Sequence, residues 1–146
     1  SATFNNRLVN HETGVDDKET GVATAFTASI TSTQFDLDDG DRFMLVNKML
    51  PDVTFEGSTA ASPAAVLTLN PLENSGSGRY DPASVGGNSN ATVTRTATAP
   101  IEQFTGQVFT RLRGRQMSFK VESTAAGVTW KLGATRVDMR PDGRRG

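Results

Sequence analysis

Side chains able to do chemistry are few in this sequence, and they are scattered. Asp36, Asp38, Asp39 and Asp41 crowd four carboxylates into one short run, the density that a hard cation such as calcium demands of a single loop. The spacing fails. Counted from Asp36, Gly40 falls one place early, and the twelfth position is Asn47 where an EF-hand needs a bidentate Glu. The run reads instead as a turn, with Asp side chains capping local amides and Gly40 permitting positive φ. A Ser-His-Asp site would have to use His11, the single histidine, and no periodic element surrounds it. A Gly-x-Ser-x-Gly elbow is absent, and Gly76-Ser77-Gly78 and Gly86-Gly87 lack the Lys and the following helix of a phosphate loop. A glycosidase-type carboxylate pair stays open, because such pairs meet only in three dimensions, but nothing marks one out. With no cysteine, disulfides and zinc-thiolate sites are excluded, and one histidine excludes a histidine-rich metal centre. The expectation is a chain that is not an enzyme and carries no cofactor.

Charge is the remaining signal. Net charge is -1, yet residues 1–110 carry six basic against thirteen acidic side chains and residues 111–146 nine against three. Such a dipolar chain can pair with copies of itself. The C-terminal cations Arg111, Arg113, Arg115, Lys120, Lys131, Arg136, Arg140, Arg144 and Arg145 could also track a phosphate backbone, with Phe109, Phe119 and Trp130 interleaved as stacking platforms. Phe119 and Trp130 fall on the apolar faces of their strands, where burial is expected. Phe109 shares a face with Arg111 and Arg113 and is the one aromatic placed for a surface role. Closely spaced arginines also suit bidentate pairing with carboxylates across a subunit contact. That use is preferred here, with nucleic-acid contact second.

The elements that must position these groups read as strands. The 146 residues make one domain, with 36% hydrophobic and 21% charged residues and a mean hydropathy of -0.38, so the core is thin. Thr and Ser number 19 and 11 beside 14 Gly and eight Phe, a mixture for strands and turns. No apolar run approaches the roughly 20 residues of a membrane helix, and no basic-then-apolar leader opens the chain, so a soluble protein is expected. Residues 1–20 read as an irregular opening segment and 21–146 as a single β-sandwich domain. Phe26, Ala28 and Ile30 alternate with polar neighbours and predict a strand with one buried face. Phe43–Leu50 is nearly apolar on both sides, a central strand closed by Pro51. Ala65–Leu69 is a short strand, Leu72–Asn90 a long exposed loop, and Ala91–Ala99 a strand with a threonine face. Val108–Arg113 and Met117–Glu122 alternate around Gly114, a bulge or sharp bend. Ser123–Gly127 predicts a hairpin to a returning strand through Val128, Trp130 and Leu132, and Val137 and Met139 one more. The predicted fold is all-β, an antiparallel sandwich of about eight short strands.

Two blocks carry a resemblance. Thr110-Arg111-Leu112-Arg113-Gly114-Arg115-Gln116-Met117, continuing through Gly127-Val128-Thr129-Trp130-Lys131-Leu132-Gly133 to Arg136-Val137-Asp138-Met139-Arg140-Pro141-Asp142-Gly143-Arg144-Arg145, resembles the end of the tail nozzle or tail-tube proteins of short-tailed, podovirus-like bacteriophages. Phe35–Phe43 with Leu50–Phe55 is similar to an upstream block of the same proteins. The resemblance implies a non-enzymatic virion component of the phage tail, one of a ring of copies, commonly six, around the channel for the viral DNA, in contact with other tail proteins and spanning no membrane. It also implies that full family members are several times longer, so that the chain is the C-terminal part of one. Matched positions imply structural roles: Trp130 as core anchor, Gly114 and Gly133 for backbone conformation, Arg113 and Arg115 for ionic contacts near Asp138 or on a neighbour, with Arg111, Arg136 and Arg140 as interface candidates. Two rivals stand beside this reading. One is a carbohydrate-binding or adhesin-type sandwich using the 72–90 loop, for which the lone Tyr80 and a buried Trp130 make a poor stacking platform. The other is a single-stranded nucleic-acid binder using the C-terminal arginines.

Overall fold

Strict alternation of apolar and polar side chains leaves each strand with one greasy face, and in the computed structural model two sheets bury those faces against each other. The structure describes residues 2–4, 7–9, 14–19, 21–72 and 96–143. In chain order the strands are β1 (Ala2–Phe4), β2 (Arg7–Val9), β3 (Asp16–Asp17), β4 (Thr24–Ala25), β5 (Ala28–Thr31), β6 (Phe35–Asp36), β7 (Met44–Leu50), β8 (Val53–Thr54), β9 (Ala64–Leu72), β10 (Ala97–Glu102), β11 (Val108–Gly114), β12 (Gln116–Ser123), β13 (Lys131–Leu132) and β14 (Arg136–Pro141). Every described pairing is antiparallel. The fold is all-β, and among the described residues the one helical element is a single 3-10 turn at Asp38–Gly40.

The larger sheet runs β10-β9-β12-β5, with β6 continuing β5 along β12. The smaller runs β11-β7-β14. Inward-facing rows cross each sheet: Leu67–Val121–Ile30 and Pro71–Met117–Phe35 in the larger, Val108–Met49–Val137 and Leu112–Val46–Met139 in the smaller. Met44, Val46, Met49, Leu67, Leu69, Leu112, Met117 and Val121 are all buried, each worth roughly 1.5–3 kcal/mol against exposure. Three two-stranded ribbons complete the described pairings, β1 on β2, β3 on β4 and β13 on β8.

Several expectations change. The opening twenty residues are not irregular throughout, since β1 pairs with β2 and Asp16–Asp17 with Thr24–Ala25. β5 buries neither face, because it lies at the sheet edge where the narrower second sheet does not reach: Ile30 is 46% exposed and Phe26, ahead of the strand, 59%. β9 runs past Leu69 to Leu72. Its Pro71 pairs with Met117, beyond the last described β10 partner at Leu69, so the missing N–H falls where no described ladder bond needs it. No hairpin follows β12, because both of its edges are already taken by β9 and β5. The chain leaves the sheet there, and only Lys131–Leu132 forms a strand, on β8. The Gly-rich stretch and the threonine strand before Thr96 lie outside the described residues, apart from Leu72 and the β10 portion, as do His11, Arg144 and Arg145.

Candidate functional site

Arg113 and Arg115 bracket Gly114, where the chain steps from the smaller sheet to the larger through the single residue Arg115. A Cβ on Gly114 would lie 3.0 Å from both the Gln116 carbonyl oxygen and Pro71 Cβ, tighter than an ordinary Cβ contact, so the bend favours glycine. The bend aims both arginines at one buried ring. Their guanidinium carbons sit 4.1 Å (Arg113) and 4.8 Å (Arg115) from the Phe43 centroid, a double cation–π contact. Arg113 also donates through Nε to Asp142 Oδ2 at 2.5 Å and through Nη2 to the Asp142 carbonyl at 2.9 Å. Arg115 Nη1 reaches the carbonyls of Gly40 and Asp41 at the acidic turn. Backbone bonds close the ladder here, Phe43 N–H to the Gly143 carbonyl and Asp142 N–H to that of Phe43. The acidic run is thus a turn held by an arginine: Asp38 and Asp39 take positive φ, and Asp38 lies 3.8 Å from Arg42.

Arg113, for which the resemblance implied an ionic contact near Asp138 or on a neighbour, pairs within the chain with Asp142 and not with Asp138. β7 separates Arg113 from Asp138, which pairs in register with Lys48 one row away; two strand spacings are about 9.6 Å. Asp138 and Lys48 place opposite charges side by side across the ladder, a favourable arrangement.

A second group forms on the solvent side of the smaller sheet. Outward rows there are Phe109–Lys48–Asp138 and Arg113–Leu45–Arg140, with Leu50 beside Arg136. Arg111 shares the face of Phe109 and Arg113, since Val108, Leu112 and Gly114 are buried and the three between them exposed. Among the described residues, Arg111, Arg136, Arg140 and Lys48 have no ion pair or side-chain hydrogen bond. Phe109 is 73% exposed. Beside it, between β11 and the edge strand β10, opens a groove of about 670 Å³ lined by Thr96, Thr98, Phe109, Arg111, Arg113 and Asp142.

Other expected site residues lie elsewhere. Trp130 is half-buried and outside any strand; its ring packs on the core, and Nε1 donates to Oγ of buried Ser123 at 2.9 Å. Gly133 is pressed against Asp52, whose carbonyl accepts from its N–H while Oδ2 accepts from Ala134 N–H. Asp52 itself adopts positive φ, so the pair locks the turn after β7 to the segment before β14. The C-terminal cations do not share one surface: Lys120 pairs with Glu122 on the larger sheet and Lys131 lies 3.9 Å from Glu56. Phe43, Lys48, Asp52 and Asp142 escaped the sequence reading, because each acquires its role from a strand neighbour far along the chain. Among the described residues, no group of three or more His, Cys, Asp or Glu side chains could hold a metal, and no helix is long and apolar enough to cross a membrane. Compared with known protein families and curated proteins, the chain matches no family model and no curated sequence.

Proposed function

We propose that this chain is an architectural module that assembles with copies of itself, as a subunit of a ring of the bacteriophage tail-nozzle or tail-tube kind that its C-terminal blocks resemble, and performs no catalysis. The supporting observation is the row Leu67–Val121–Ile30. It passes from 1% and 0% exposure to 46% in one strand spacing, so an inward-facing apolar strip runs out from under its cover at the β5 edge. Val22 and Phe26, 70% and 59% exposed, precede that edge. An unpaired strand edge beside uncovered apolar side chains is a template for another chain, and the segregation of acidic and basic side chains along the sequence suits a second copy. Arginines spent on internal stitching around Phe43 add rigidity without chemistry.

The test is light scattering coupled to chromatography, with Ile30→Asp and Phe26→Asp combined. The wild type is expected to associate, and the double variant to run as a folded monomer with unchanged circular dichroism. A wild type that stays monomeric at high concentration refutes the reading. The adhesin alternative would rest on residues 72–90, which the structure leaves almost wholly undescribed, and Trp130 is committed to Ser123 and the core. The nucleic-acid alternative is favoured by one observation, the cationic outer face of the smaller sheet.

A further inference from the structure

We infer that the outer face of the β11-β7-β14 sheet binds single-stranded nucleic acid, with Phe109 stacking a base and Arg111, Arg136 and Arg140 holding phosphates. This goes beyond the assembly reading and does not depend on it. The five cations of the face (Lys48, Arg111, Arg113, Arg136, Arg140) meet two carboxylates, Asp138 and Asp142. Asp142 is neutralised by Arg113, which is itself turned onto the Phe43 ring. Asp138 faces Lys48. The arginines left over have no partner among the described residues, although a guanidinium on a protein surface readily finds a carboxylate when one is in reach. Their charge is available to an external anion.

The aromatic decides which anion. An acidic protein surface would answer the charge; a phenyl ring standing 73% exposed on the same face as Arg111 also offers its flat side to a base. A charged track with an aromatic platform is the combination by which sheet surfaces hold single strands, the backbone following the cations and a base lying on the ring. Phe109, Arg111 and Arg113 are all exposed along β11, and the register shift between Phe109 and Leu112 falls within this run of ring and cations. The groove of about 670 Å³ at the side of Phe109 falls within the range of pockets that accept a small planar ligand. The exposed Thr98 on its far wall presents a hydroxyl that can donate to or accept from a base edge. A duplex keeps its bases stacked inward and cannot offer one to Phe109.

The experiment is fluorescence anisotropy of a labelled oligothymidine on the full chain, beside an abasic oligodeoxynucleotide of equal length, a duplex, and poly-glutamate as an acidic-protein surrogate. Oligothymidine is expected to bind best, with log K falling against log salt at a slope of about -0.7 per phosphate contacted. Phe109→Ala is expected to weaken oligothymidine about five- to 100-fold, leaving the slope, the abasic strand and the melting temperature unchanged. Arg111→Ala with Arg140→Ala is expected to flatten the slope by about 1.4. Absence of oligothymidine binding at low salt, equal affinity for poly-glutamate or duplex, or a Phe109→Ala effect no larger on oligothymidine than on the abasic strand would each overturn the proposal.

Discussion

Arginines on the same two outer strands of the smaller sheet meet opposite fates. Arg113, helped by Arg115 across the bend, is folded inward over Phe43 and tied to Asp142. Arg111, two residues before it, and Arg140, two places across the sheet in the same row as Arg113, stand without a partner among the described residues. Local sequence does not separate them; each is an arginine on an alternating strand. What separates them is whether the topology brings a ring and a carboxylate alongside. The inward pair belongs to stability; the outward group is the one proposed to meet nucleic acid.

That contrast can be attacked in order of size. Phe43→Ala removes the ring both guanidiniums enclose and leaves a cavity at the end of the smaller sheet, so a loss of about 3–5 kcal/mol in urea unfolding is expected; a loss under about 1 kcal/mol would mean the clamp is ornamental. Gly114→Ala pushes a methyl against Pro71 and the Gln116 carbonyl. A loss of about 1–3 kcal/mol is expected from overpacking, and an unchanged unfolding midpoint would remove the reason for glycine at the bend. Smallest is the paired comparison of Arg113→Ala with Arg140→Ala. The ion pair with Asp142 is 44% exposed on each side and contributes about 0–1 kcal/mol, to which the ring contact adds about 0.5–1 kcal/mol. Removing Arg140 is expected to change stability by less than about 0.5 kcal/mol in either direction. Equal losses for the two would erase the distinction.

Much of the scaffold could be read from alternation alone. β11, β12 and β14 lie where the two-residue repeat puts them and β7 where the continuous apolar run does, and Met117, Val121, Val108 and Leu112 face the core as that repeat requires. Coverage could not be read. Phe26, Ala28 and Ile30 carry the same signature, but a strand is buried only if the opposing sheet reaches it, and three strands do not cover five. Partner choice was equally hidden. Val128, Trp130 and Leu132 look like the return of a hairpin, whereas β12 had no free edge to offer. The site was half legible: Phe109, Arg111 and Arg113 could be assigned one face from spacing, but Lys48 and Asp138 join it only through a register across β7. Arg113 was expected to meet Asp138 or a neighbouring copy; the in-register row places Arg140 opposite, and the partner within the described residues is Asp142.

Strand β7 lies at the middle of its sheet, yet both neighbours, β11 and β14, are drawn from the last third of the sequence. While the polypeptide is being synthesised, Met44, Val46 and Met49 therefore wait for their first described strand partner until Val108–Gly114 has been made. Closing such distant loops is slow, in the range of about milliseconds to seconds for β-rich chains. During that wait a bare apolar ribbon is open to whatever strand arrives first, so an early encounter between two nascent copies is a hazard written into the order of the strands.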